Sequence, residues 1–373
     1  MKNIKIFLSI FAYLFLFTGC NLGTLELDDT TSRPRPGTVP NTVDGLTLPE
    51  KLQWLNENAV NGGEYTIELS SHGNMEPQTL SFSDKNIKIR LKSNNRERII
   101  QLTDNGSLFS IGAGVTLILD SNITIRGHSK NNVPLIIINS RGSLTMKNGA
   151  KISGNTDTRY NGGIGGVYVG VDGSFFMEGG EIFANSASSV GGVYVADGGY
   201  FEMKSGKIFG NTANSEGGGV GINGRFLMTD GEISGNTARS GGGINMWNGM
   251  FEMEGGKILG NIANGTSTAS GGGGIYVQNG KFAMTGGEIS GNTARSGGGV
   301  FVSDKANFTK IGGVVYGYDI TNGNGNKATE GINSNNKGHA VFINTSPNRR
   351  RETTAGAGIF LNSSIAGAAG GWE

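Results

Sequence analysis

Apolar and polar residues alternate along this chain in short bursts, and between residues 151 and 315 the bursts recur. Within 191–211, "GGVYV", "YFEMK" and "KIFGN" follow one another. Every second residue in each burst is apolar: Val193 and Val195, then Phe201 and Met203, then Ile208. Period two is the signature of a strand with one buried face, so each burst predicts a short strand. Turn residues separate the strands. Asp197-Gly198 has equivalents in Asp172-Gly173, Asn223-Gly224, Asn248-Gly249 and Asn279-Gly280. An Asx-Gly pair suits a turn that needs positive φ.

The whole unit returns. Ile182, Ile208, Ile233, Ile258, Ile289 and Val314 are assigned to one repeat position, at intervals of 25 or 26 residues except one of 31 where "GTSTAS" adds length. "GEISGNTARSGGG" fills 231–243 and returns unchanged at 287–299. Three short strands cannot close a core alone. Stacked at ~4.8 Å, each strand pairs with its copy one coil away. The predicted fold is all-β: a parallel β-helix solenoid, right-handed by the strand-twist rule for parallel crossovers.

Stacking turns repeat positions into columns. Phe175, Phe201, Phe226, Phe251 and Phe282 form one inward column, and Met177, Met203, Met228, Met253 and Met284 the next. Burying each Phe stabilises by ~1.5–3 kcal/mol, so these columns outweigh any surface effect. Asn155, Asn185, Asn211, Asn236, Asn261 and Asn292 form a column at a turn, where amides can bond along the axis. Lys151, Glu181, Lys207, Glu232, Lys257 and Glu288 alternate in sign. Each neighbouring pair is worth ~0.2–1 kcal/mol, and a slip by one coil puts like charges together, so this column reads as register control.

The flanks differ. Residues 1–19, "MKNIKIFLSIFAYLFLFTG", have a short basic front and an apolar run too short to span a bilayer comfortably, the order of a secretory signal. The only cysteine, Cys20, follows. Residues 20–45 are polar and hold Pro34, Pro36 and Pro40, which reads as a flexible tether. In 46–63, Leu48, Leu52, Leu55 and Ala59 share one helical face, and Thr47 with Glu50 makes a capping-box pattern. The predicted helix covers the open end of the strands. Residues 64–330 are assigned to the β-helix, with regular repeats over 151–315, and 331–373 to its C-terminal closure.

Composition adds limits. The chain has 66 Gly and 7 Pro, and 36% of residues are hydrophobic, which excludes both collagen and a disordered Gly-rich linker. The net charge of +1, with one basic triplet at Arg349-Arg350-Arg351, offers no nucleic-acid footprint.

The coil resembles the pectin-lyase-like parallel β-helix class. More narrowly, Ile208-Phe209-Gly210-Asn211 and Gly217-Gly218-Gly219-Val220 resemble the two short signatures repeated in polymorphic outer-membrane proteins, with Ile for Phe and Gly for Ala. Phe17-Thr18-Gly19-Cys20 resembles a bacterial lipobox, in which the Cys is acylated. "LPEKLQWLNENAVNGGEYTIEL" and "TTAGAGIFLNSSIAGAAGGWE" resemble the flanks of repeat-bearing bacterial surface lipoproteins. The resemblance implies an outer-membrane lipoprotein held through Cys20 and exposed at the cell surface, in an adhesive role toward a host protein or glycan.

β-Helices also carry polysaccharide lyases and glycoside hydrolases. A hydrolase needs two carboxylates ~5–9.5 Å apart. Glu178 and Glu202 are assigned to one column on successive coils and are the best pair for it, but a solvated strand face accounts for them better. His72, His128 and His339 have no metal-ligand spacing, so no catalytic set, metal site or cofactor is assigned. The ligand-binding candidates are outward aromatics of the first strand: Tyr168, Tyr194, Tyr276 and Phe301. They can stack on sugars or anchor a partner if the face is open, and serve only as packing if loops cover it. The expected function is thus non-enzymatic surface display, with the β-helix enzyme and a passive spacer as alternatives.

Overall fold

The structure is a computed structural model that describes residues 46–267, 270–317, 324–329 and 340–343. The signal-like segment, Cys20, the tether, His339 and most of the C-terminal closure lie outside the described residues.

The chain forms a parallel β-solenoid of stacked coils. One coil contains Val193–Val195, Tyr200–Met203, Lys207–Phe209 and Thr212–Ala213. Each strand pairs in parallel with the equivalent strand of the next coil: Val193 with Val220, Phe201 with Phe226, Ile208 with Ile233, Thr212 with Thr237. The first and second strands of all coils join one 18-stranded sheet, the third strands form a 10-stranded sheet, and the fourth a 7-stranded sheet. The fourth strand is two residues long, too short to show a period in the sequence.

Inward residues stack into columns along the coil. From Phe175 to Phe308 the six rings stack with centroids 4.5–4.9 Å apart and planes within 8–13° of parallel. That spacing is the rise between strands, so the backbone ladder sets the ring stack. Below Phe175 the column continues as Leu144, Leu117, Ile89 and the partly buried Tyr65. The methionine column runs from Met146 through Met284 to Lys310, which is fully buried. The isoleucine column ends on Val315, not on Val314 as the sequence assignment had it. Val315 pairs with Ile289 and is buried, whereas Val314 pairs with Glu288 on the outer side.

The asparagine column is a buried ladder. The backbone N–H of Asn211 donates to Asn236 Oδ1 (3.0 Å), and its Nδ2 donates to the same oxygen (3.1 Å) and to the Ile182 carbonyl (2.9 Å). The pattern repeats at Asn185, Asn236, Asn261 and Asn292. It reaches Asn131 at one end and Asn326 at the other, neither of which the repeat alignment included. The glycine runs make room for this ladder. A Cβ on Gly218 would sit 2.3 Å from the Gly242 carbonyl oxygen, and one on Gly219 2.9 Å from Asn236 Nδ2.

The early coils follow the same plan without the sequence signature. Glu64–Leu69 pairs with Ile87–Ser93, which pairs with Val115–Leu119 and then Ser143–Met146. Helix α1, Leu48–Asn58, begins as expected. The Glu50 carboxylate accepts from the Thr47 backbone N–H and hydroxyl, both at 2.7 Å, which holds its pKa below the usual carboxylate range. Leu52, Leu55 and Ala59 are buried in the same core as the strands, so α1 covers the first coil.

Candidate functional site

The first-strand aromatics do line up in register. Tyr168 pairs with Tyr194, Tyr194 with Gly221, Gly221 with Asn245, Asn245 with Tyr276 and Tyr276 with Phe301. They do not form an open ridge. Phe301 is fully buried and Tyr276 is 8% exposed: the Gly271 corner and Phe342, the next rung of the same column, pack against Phe301. A Cβ at Gly271 would lie 2.3 Å from the Phe301 ring, and the Phe342 ring lies tilted against it with centroids 5.1 Å apart. Tyr276 and Phe301 are therefore not exposed at the surface of the described residues. Tyr168 and Tyr194 are half-buried and stack on one another at 5.6 Å.

Beside Tyr194 the repeat is broken in a way that gathers polar side chains around an aromatic pair. Gly221 stands where a tyrosine would, and the Trp247 ring fills the space: a Cβ on Gly221 would be 2.7 Å from it. Trp247 meets Tyr194 edge-on at 5.9 Å. Asn223 Nδ2 donates to the Tyr194 hydroxyl (2.7 Å). Asn245, fully buried, donates to Glu216 Oε2 at 3.3 Å, while its own Oδ1 has no hydrogen-bond partner. Burial raises the Glu216 carboxyl above the usual range, against a hydrogen bond from Trp247 and the charge of Arg239. Burial likewise raises the Tyr194 phenol. A carboxyl of raised pKa can hold a proton. Its neighbours are an indole, an amide and a guanidinium, and hydrolysis by two carboxylates needs a second acid in that place. Sequence reading missed Glu216 and Trp247. The available signal was the loss of the aromatic at Gly221 and Asn245.

Glu178 and Glu202, the carboxylate pair considered for hydrolysis, are not in one column. Phe176 pairs with Glu202, so Glu178 lies two residues further along its strand. Glu178 is bonded to Lys147, and Glu202 lies 3.4 Å from Lys204. His72 Nδ1 accepts from the Ile99 N–H (3.0 Å), and His128 Nδ1 from the Lys130 N–H (3.2 Å); both brace loops. Asp157 is buried and clamps the loop after it, bonding the Arg159 guanidinium and the Ile164 N–H. Among the described residues no group of three or more His, Cys, Asp and Glu could hold a metal.

The charged column lies on the open outer face of the 10-stranded sheet. Its six members pair in the expected order. Among the described residues only Lys207 and Glu232 form an ion pair within the column, at 3.4 Å. Lys151 turns to Glu97, and the Ser234 and Ser290 hydroxyls donate to Glu232 and Glu288. A shallow trough of about 480 Å³ runs along this face between Lys151 and Lys257.

Comparison of the chain with known protein families, with characterised proteins and with solved structures finds no match.

Proposed function

We propose that this chain is a lipid-anchored, non-enzymatic surface protein whose solenoid is a rigid rod for adhesion or ligand display. The observation that carries the reading is the solid core: six phenylalanine rings stacked without interruption, with the repeated Met, Asn and Gly residues all committed to the same stack. What repeats serves rigidity. What varies from coil to coil lies outside, where a partner can read it. The lipobox-like Phe17-Thr18-Gly19-Cys20 supports an anchor at Cys20, and residues 20–45 would then hold the rod off the outer membrane. The finer kinship, with pectin-lyase-like solenoids and polymorphic outer-membrane repeats, belongs to the same proposal and rests on the motifs alone.

Labelling cells with a palmitate analogue tests the anchor. The wild-type chain is expected to take up label and Cys20→Ala to take up none; an unlabelled wild type removes the anchor. Binding of the lipid-free chain to cells, matrix proteins and glycans tests the display role, and silence on all of them favours the passive spacer. The raised Glu216 carboxyl beside Trp247 and Tyr194 is the one feature that favours a polysaccharide-cleaving alternative. Release of oligosaccharides by the purified chain would establish it.

A further inference from the structure

The charged column has more order than its own neighbours use. Six rungs alternate Lys, Glu, Lys, Glu, Lys, Glu, and uncharged Thr124 and Val314 flank the block. Only one of the five neighbouring pairs closes to an ion pair, and the Lys207 side chain remains 53% exposed. We infer that this face is a self-complementary surface on which a second copy of the chain docks with its solenoid axis antiparallel.

Symmetry decides the orientation. Two copies can meet face to face about a twofold axis lying in the plane of contact. An axis along the solenoid puts each rung opposite its own copy, lysine on lysine and glutamate on glutamate. An axis across the solenoid, along the strands, reverses the order of rungs. With an even number of alternating charges centred between Lys207 and Glu232, reversal makes every rung complementary. Lys207 then faces Glu232 of the partner subunit, Glu181 faces Lys257 of the partner subunit, and Lys151 faces Glu288 of the partner subunit. In the neighbouring outward column the same operation matches like with like at the outer rungs but sets Phe209 against Ser234 of the partner subunit at the centre. Phe183 faces Leu259 of the partner subunit, and Ser153 faces Ser290 of the partner subunit, the two serines being equally recessed at 5% exposure.

The size of the face sets the strength. Under this twofold eight of the ten strands overlap, and at ~4.8 Å apart and about 10 Å wide they offer roughly 380 Å² per copy. Two such faces come to roughly 770 Å², below the ~1,000 Å² of a stable specific interface, so the contact is weak, rests on charge and needs high local concentration. Like charges recur along one copy about 10 Å apart, near the Debye length in physiological salt, so the attraction is salt-sensitive. The inference is independent of the anchor.

Sedimentation of the full chain carrying Cys20→Ala, which excludes lipid-driven association, tests it. A dimer is expected in ~50 mM salt and a loss of at least about tenfold in affinity near 1 M. Lys207→Glu alone and Glu232→Lys alone should each be monomeric, since each sets like charges together twice across the twofold. Mixing the two variants should restore a heterodimer, because the reversed Lys207 position of one copy meets the reversed Glu232 position of the other. A parent chain that is monomeric in low salt overturns the inference. So does a dimer that neither salt nor either reversal weakens, and so does a mixture no more associated than its parts while both variants keep the parent's circular dichroism.

Discussion

At the scale of single residues, the buried asparagines do what no hydrophobic column can: they satisfy backbone groups at a corner where no strand ladder reaches. Asn236 Oδ1 receives the Asn211 N–H, and its Nδ2 reaches the Ile208 carbonyl at 2.9 Å. Asn236→Ala would leave both groups buried without partners, so a stability loss of about 2–4 kcal/mol is expected. Urea unfolding reads it, with exposed Asn214→Ala as the control, expected within ~0.5 kcal/mol of the parent. Glu216 gives the opposite kind of test. Its carboxyl is raised by burial, so the folded chain holds that proton more tightly than the unfolded chain. The stabilisation linked to the proton is complete below the ordinary carboxylate pKa and is lost as pH rises through the raised folded value. Glu216→Gln keeps an acceptor for Trp247 and has nothing to ionise. Its melting temperature should match the parent near pH 4 and exceed it at pH 7–8. A parent that gains stability over that range relative to the variant would show that the hydrogen bond, not burial, dominates.

At the scale of elements, the strands of the regular coils were readable because period-two burial, Asx-Gly turns and fixed spacing all point the same way. The early strands at Glu64–Leu69 and Ile87–Ser93 were readable as strands, but not their place in a coil. Tyr65 and Ile89 stand in the phenylalanine column without the Gly-Gly-Gly and Ile-x-Gly-Asn signatures that set the phase of the later coils. Counting errors fell where one marker was used alone. Glu178 follows Met177 whereas Glu202 precedes Met203, so their interval is not that of the coil. Val314 was preferred to Val315 because two adjacent valines carry no period. The outward direction of Tyr168, Tyr194, Tyr276 and Phe301 was legible from alternation. Their covering was not, because Trp247 and Gly271, which pack against the column, are departures from the repeat at their own positions, where other coils carry Ala196 and Ser240. Side-chain direction is local information, whereas exposure depends on segments that fold back from elsewhere in the chain.

At the scale of the molecule, the true repeat is a pair of coils, one lysine coil and one glutamate coil, which is why "GEISGNTARSGGG" recurs two turns later and not one. This makes the array divisible without a scar. Deleting 231–286 joins Asp230 to the second copy of the same thirteen residues. Lys207 then neighbours Glu288, Asn211 neighbours Asn292, and Phe226 meets Phe308. Deleting 231–255 removes one turn, keeps the phenylalanine and asparagine columns, and sets Lys207 beside Lys257. Trp247 is lost in both. Stability in a solenoid is close to a sum of repeat and neighbour contributions, so both shortened chains should fold, each less stable than the parent. They should differ in the sign of their salt response. The like pair in the one-turn deletion is relieved by screening, so its melting temperature should rise relative to the parent between ~50 mM and ~1 M salt. The two-turn deletion, with alternation intact, should track the parent. If both respond alike, the alternating column does not set the register of the coils, and its order must be explained entirely by what docks on the outer face.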